Sequence, residues 1–156
     1  MPEKQSVLFV CLGNICRSPL AEAAMRSVAE QYHLDIDIDS AGTGNWHKGE
    51  APDERAQRTA LRHGVDIGCY RARQITQNDF YKFSHIIALD RSNLETLLKQ
   101  KPADSSAIVR MLLDYVPGRK GEAVADPYYG TESGFEVTWQ DAMSGAQALV
   151  RTLMKA

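Results

Sequence analysis

A cysteine followed six residues later by an arginine, Cys11 and Arg17, ends a short apolar run in the stretch V-L-F-V-C-L-G-N-I-C-R-S-P, residues 7–19. Gly13 permits a tight curl and Asn14 tolerates left-handed backbone angles. Leu12, Gly13, Asn14, Ile15 and Cys16 can therefore turn consecutive N–H groups inward as a nest for a tetrahedral oxyanion. Arg17 adds a fork of donors matched to two of that anion's oxygens. Phosphate is the guest that suits this chemistry. A field that holds a dianion also stabilises a thiolate, which makes Cys11 a candidate nucleophile, and Ser18 can donate to its sulfur. The plainer alternative for a cysteine at a strand end is a small buried hydrophobe, and two fixed letters alone would leave that alternative ahead.

The flanking elements favour the anion site. Val7 to Val10 is a β-branched and aromatic run without alternation, as expected of a strand buried on both faces of a parallel sheet. From Pro19 onward a helix is expected, with Ser18 as its cap and Leu20, Ala21, Ala24, Met25, Val28 and Tyr32 at helical spacing. The loop then lies between a strand's carboxyl end and a helix's amino end, where unpaired N–H groups and the helix dipole converge on an anion.

Further along, Ile36, Ile38 and Ser40-Ala41-Gly42 predict a second strand. Asp35, Asp37 and Asp39 read as its solvated face, because the spacing of a calcium loop is not completed. Residues 44–52 read as a loop in which Trp46 either folds back on the core or walls a cleft, and His47 is a surface residue. Helices over 52–63 and 76–81, a strand over 85–89, a helix over 92–99 capped by Ser92 and Asn93, a strand over 108–113 and a helix over 137–154 follow. Asp90 falls at the carboxyl edge of the sheet, where it either braces the site or simply enters the helix. Strands and helices alternate, so the expected fold is α/β: a single domain over residues 1–156 with a parallel sheet, right-handed crossovers and helices on both faces. The long loop before the last helix centres on Asp126-Pro127-Tyr128-Tyr129. Pro127 restricts Asp126, and the two tyrosines offer flat faces to an aromatic group. On its residues alone, Asp126 reads as a turn-initiating Asp-Pro.

Composition narrows the function classes. The 156 residues carry a net charge of −2 with both signs spread along the chain, which argues against a nucleic-acid partner or a polybasic membrane surface. No run approaches the roughly 18 apolar residues that span a bilayer, and a cytoplasmic protein is expected. Three cysteines, two of them in the anion loop, do not make a secreted disulfide framework. No His or carboxylate cluster has ligand spacing, so neither a metal nor another cofactor is expected.

Four segments, C-L-G-N-I-C-R-S-P-L-A-E-A at 11–23, Ser40-Ala41-Gly42-Thr43, Ala72-Arg73-Gln74-Ile75-Thr76 and Asp126-Pro127-Tyr128-Tyr129-Gly130, together resemble the low-molecular-weight protein tyrosine phosphatases. The resemblance spans nearly the whole chain. It implies a four-stranded sheet in the order 2-1-3-4, with Cys11 at a topological switch point. It also implies hydrolysis of phosphotyrosine in protein substrates, and of aryl phosphates, through a phosphocysteine. Cys11 is then the nucleophile, Arg17 and the loop N–H groups hold phosphate, and Asp126 is the general acid and base. By the same resemblance Trp46 walls the substrate cleft with Tyr128 and Tyr129, Ser40 belongs to the shell that hydrogen-bonds Asn14, and Cys16 is a redox partner for Cys11. Enclosure between Tyr128, Trp46 and the anionic site is expected to desolvate Asp126 and favour its protonated form.

One position departs from the family pattern. Tyr70 stands where many members have a His that helps hold the loop asparagine, and a phenol can make the same kind of bond. Arsenate reductases share the first loop but need a later cysteine pair, and only Cys69 follows here. Protein-arginine phosphatases carry a Thr where this chain has Ile15. A non-catalytic phosphate-binding module is disfavoured by Cys11, Arg17, Ser18 and Asp126 occurring together. The expected protein is thus a monomer or weak oligomer acting on tyrosine-phosphorylated proteins.

Overall fold

Val7 and Phe9 pack on one face of the first strand and Leu8 and Val10 on the other, and all four are fully buried. That is why the run lacks alternation: a central strand covered on both sides has no wet face. The computed structural model describes residues 4–128 and 130–155. Among them β1 (Ser6–Cys11), β2 (Asp37–Gly42), β3 (His85–Ala88) and β4 (Ile108–Met111) pair in parallel in the order β2-β1-β3-β4, the order that the resemblance implied. The helices are α1 (Arg17–Gln31), α2 (Glu54–Arg62), α3 (Asp79–Lys82), α4 (Arg91–Gln100) and α5 (Glu132–Met154). Leu20, Ala24 and Met25 of α1 join Trp139, Ala146 and Leu149 of α5 over Val7 and Phe9. Phe80, Phe83 and Leu97 cover Leu8 and Val10 on the opposite face. None of the helices in the described residues is long and apolar enough to cross a membrane.

Several boundaries differ from expectation for identifiable reasons. α1 begins at Arg17 with Cys16 at its cap position and no side-chain cap, because the Ser18 hydroxyl is engaged with Asn14 and Cys11 instead. Tyr32 lies past the helix end and is exposed. Asp90, rather than Ser92 or Asn93, caps α4 by accepting from the Asn93 N–H at 2.7 Å. β4 stops at Met111, and Leu112–Tyr115 turn as a short 3-10 helix whose Leu112 and Leu113 stay buried. α5 starts at Glu132, ahead of the expected Val137, which brings Phe135 fully into the core.

Residues 71–76 run back past the end of β2 toward the anion loop. Gly42 donates to the Arg73 carbonyl and accepts from the Ile75 N–H, with a bridge between Gly42 and Gln74. The segment is fixed by Arg73, whose guanidinium grips both Asp79 oxygens at 3.0 and 3.1 Å and reaches Asp39. Asp79 is buried and also accepts from the Thr76 N–H at 2.8 Å. Burial alone would push its carboxyl up, but the bonds from Arg73 and Thr76 outweigh burial and hold it below the ordinary aspartate value. Its contribution to stability is therefore present above an unfolded value of about 4 and is lost as pH falls through the lower folded value. Asp79→Asn should cost about 3 kcal/mol in urea unfolding at neutral pH, with the gap to wild type closing as pH drops below about 4. A gap that persists unchanged in acid would mean that packing, not charge, holds the segment.

Candidate active site

β1 delivers Cys11 and α1 begins at Arg17, so residues 12–16 must reverse the chain within a few ångströms. The loop does so with its carbonyls outward. Cys11 O accepts from Thr43 N at 2.9 Å, Leu12 O from Gly44 N at 3.0 Å, and Ile15 O from Asp53 N at 2.8 Å. No backbone N–H from Leu12 to Arg17 donates to a protein acceptor among the described residues. Such a run of unpaired donors is uncommon in a protein interior, and at a helix amino end it is an arrangement that suits an anion. Asn14 makes the curl possible with φ of 59°. Its amide is fixed on three sides: Nδ2 donates to Ser18 Oγ at 2.8 Å and to Ser40 Oγ at 3.0 Å, and Oδ1 accepts the Arg73 N–H at 3.0 Å. Gly42 backs the loop so closely that a Cβ there would lie 2.7 Å from Leu12 O.

Cys11 is buried, with Sγ 3.0 Å from Ser18 Oγ. Because Ser18 accepts from Asn14, its own hydrogen is available to the sulfur. Arg17 is buried as well. Its Nη1 is held by Asp90 at 3.0 Å and by the Val124 carbonyl at 3.2 Å, while Nη2 lies 3.7 Å from Asp126. Asp90 thus both orients Arg17 and caps α4. Burial pushes the Cys16 thiol up, and the nearby Asp53 adds to that shift.

Cys11, Cys16 and Arg17 form the floor of a cavity of about 240 Å³ whose sides include Leu12, Ile15, His47, Tyr128 and Asp126. Leu12 is half exposed there. Asp126 sits at the rim with its side chain 55% exposed and Oδ1 accepting from the Tyr128 N–H at 3.1 Å. The enclosure expected around Asp126 is therefore not formed. Trp46 does not line the cavity: it is 68% exposed and its ring lies over Gly44. The neighbouring His47, read from sequence as a surface residue, takes the wall position, packed against Gly13 with Nδ1 toward Glu50 at 3.2 Å. Tyr129 lies outside the described residues.

Behind the loop, Ser40 donates to Glu22 Oε1 at 2.7 Å, and Glu22 pairs with Arg26 at 2.9 Å. Burial raises the Glu22 carboxyl. Tyr70 borders the same small cavity as Asn14, Ser40 and Glu22, but the bonds to Asn14 come from Ser18, Ser40 and Arg73. The phenol, expected to bond Asn14, instead lies beside Glu22 and Arg26, its pKa pushed up to about 12 by burial. Glu22 was missed because its place on α1 reads as an ordinary helix carboxylate. Arg73 acts through a main-chain N–H that no residue letter encodes. Among the described residues no three His, Cys, Asp or Glu side chains converge as a metal site requires.

Comparison with known proteins agrees with this geometry. Residues 6–156 match the family model described as low molecular weight phosphotyrosine protein phosphatase. The chain is 40% identical over 152 residues to the low molecular weight protein-tyrosine-phosphatase YfkJ of Bacillus subtilis, covering 96% of each. Among solved structures, a protein tyrosine phosphatase from Entamoeba histolytica superposes with a TM-score of 0.92 at 34% identity, covering 97% of this chain and 98% of that one. A Drosophila arginine phosphatase superposes at 0.87 with 31% identity, covering 94% and 96%. With a family match running from β1 to the end of the chain, and a cysteine, an arginine and an open ring of N–H donors at the carboxyl end of its central strand, this protein belongs to the low molecular weight phosphotyrosine protein phosphatase family.

Proposed function

We propose that this protein hydrolyses phosphotyrosine in protein substrates, and simple aryl phosphates, through a phosphocysteine intermediate. The observation that carries the reading is the run of unpaired loop N–H groups that shares one cavity with Cys11 and Arg17, with Asp126 at its rim. The Cys11 sulfur, as thiolate, attacks phosphorus in line. The loop N–H groups and the Nε–Nη2 edge of Arg17, opposite the Nη1 that Asp90 holds, take the equatorial oxygens. Asp126 gives its proton to the departing phenol oxygen, and the phosphoryl group is left on sulfur. Water then attacks phosphorus while Asp126 takes its proton, and phosphate leaves as the sulfur regains its electron pair, eased by the Ser18 hydroxyl. Cys11→Ser should bind phosphotyrosine without turnover. Asp126→Ala should lose about 100-fold or more in kcat/KM on phenyl phosphate and far less on dinitrophenyl phosphate, whose phenolate needs no proton. Equal losses on both would remove Asp126 from the acid role.

Substrate choice follows from the walls. Leu12, Ile15 and Tyr128 offer apolar surface to a phenyl ring, whereas a guanidinium would be desolvated against Ile15 with no hydroxyl to receive it. Phosphotyrosine should therefore be preferred over phosphoarginine and phosphoserine, and Ile15→Thr should narrow the gap to phosphoarginine. A wild-type preference for phosphoarginine in the same competition assay would overturn this assignment.

Cys16 lines the same cavity as Cys11, and its thiol has no role in this hydrolysis. Peroxide converts a thiolate to a sulfenic acid, and a neighbouring thiol condenses with that acid to a disulfide, releasing water. Cys16 is the neighbour for Cys11. Mild peroxide should inactivate the enzyme reversibly in wild type and irreversibly in Cys16→Ser; full recovery of the variant under dithiothreitol would leave Cys16 a packing residue.

A further inference from the structure

Asp126 is held weakly by its own side chain. Beyond the long contact to Arg17 and the Tyr128 N–H, more than half of it faces solvent. Its position must therefore come from the loop that carries it, and that loop is gripped from outside by Arg55. Nη2 of Arg55 donates to the Tyr128 carbonyl at 2.9 Å and Nη1 to the Gly130 carbonyl at 3.0 Å. The same guanidinium lies 4.7 Å from the Phe135 ring centroid, at the start of α5, and 5.9 Å from that of Tyr128. Its other edge makes a two-point contact with Asp53: Nε to Oδ1 at 3.0 Å and Nη2 to Oδ2 at 2.9 Å.

Asp53 is the second half of the device. Its Oδ1 accepts from the Arg55 N–H at 2.8 Å and so caps α2, and its own N–H donates to Ile15 O, an outward carbonyl of the phosphate loop. A continuous path thus runs from Ile15 through Asp53 and Arg55 to the backbone just beyond Asp126. The two loops that must cooperate, far apart in sequence, are held at a fixed separation by one ion pair and three hydrogen bonds to main chain. The bonds from Arg55 hold the Asp53 carboxylate in its charged form, so the pair stays intact across neutral pH.

We infer that Arg55 is a positioning residue for the proton transfer: by docking the backbone beside Asp126 on Asp53, it sets the distance from the Asp126 carboxyl to the leaving-group oxygen above Cys11. This rests on the reading of Asp126 as the acid. Arg55 is not part of the cavity floor and has no direct part in holding phosphate. Its loss acts on proton donation and leaves the nucleophile and the N–H ring in place. Lysine does not substitute, because one ammonium cannot hold a bidentate carboxylate and two separate carbonyls at once.

The test is kcat/KM, which reports the step in which the phenol departs, across aryl phosphates of graded leaving-group ability. Arg55→Ala should lose about tenfold on phenyl phosphate and much less on dinitrophenyl phosphate, with inorganic phosphate inhibiting as in wild type. Arg55→Lys, which keeps the charge and most of the stem, should restore the melting temperature but not the leaving-group dependence. In the double variant Arg55→Ala with Asp126→Ala, the loss on phenyl phosphate should equal that of Asp126→Ala alone, because both act through one proton. Should Asp126→Ala lose the same factor on every substrate, the acid assignment falls and the positioning role falls with it. If Asp126→Ala behaves as an acid knockout while Arg55→Ala keeps wild-type leaving-group dependence, the positioning role alone is wrong. The same conclusion follows if the two losses multiply in the double variant.

Discussion

An interior concentration of backbone donors without acceptors is the constraint on which the structure depends. Between Leu12 and Arg17 no backbone N–H finds a protein acceptor among the described residues. That arrangement is costly unless something else holds the loop. The supporting elements supply this hold from outside. Thr43, Gly44 and Asp53 take the loop carbonyls, Gly42 presses on its back with no side chain between, and Arg73 fixes the Asn14 amide. β1, buried on both faces, gives the loop an immobile origin, and α1 fixes its exit.

Hydrogen-bond direction inside the support is determined link by link. The Ser40 hydrogen goes to Glu22, so the Ser40 oxygen accepts from Asn14. Asn14 cannot flip its amide, because Arg73 N–H requires an oxygen at Oδ1. Nδ2 must then donate to Ser18, and Ser18 has its hydrogen left for the Cys11 sulfur or, at 3.5 Å, for the Ala41 carbonyl. The polarity at the Cys11 sulfur is thus set by a carboxylate on α1 and a main-chain N–H, without a bond from the residue at position 70 to Asn14. Tyr70, where the resemblance implied a histidine, fits this wiring, since Asn14 Oδ1 already accepts from the Arg73 N–H.

Sequence reasoning reached the parts of this architecture that are governed by composition. β1 was legible because burial on both faces leaves only apolar letters, and the anion loop because Gly13, Asn14 and Arg17 have few other reasons to stand between such a strand and a helix. Where two neighbours compete for one position, the letters carried no signal. Trp46 and His47 share a loop with no periodicity, and the larger aromatic was the natural choice for a wall; packing of the tryptophan over Gly44 decided otherwise. The beginning of α5 was hidden because Glu132, Ser133 and Gly134 look like loop, while Phe135 owes its burial to tertiary contacts. Arg55 could not be read at all: an arginine in the first turn of α2 looks like any other helix residue, and its partners are 73 and 75 residues further on.

Exposure of Asp126, contrary to the enclosure expected of it, suits the different demands that the proposed reaction places on its two reacting groups. In that reaction the nucleophile needs a fixed surrounding, and Cys11 sits in a buried loop supported from outside, with Sγ 3.0 Å from Ser18 Oγ. An acid that donates in one step and accepts from water in the next must admit that water and exchange protons between turnovers. A carboxylate sealed between aromatic walls would give the first proton readily and be poorly placed to meet the second reactant. As the proposed acid at the rim, with 55% of its side chain open, Asp126 meets both requirements only while its backbone is held still. The precision that burial would otherwise supply then has to come from main-chain anchoring, which Thr138 gives at the Ala125 carbonyl before Asp126 and the Asp53–Arg55 pair gives at the Tyr128 and Gly130 carbonyls after it.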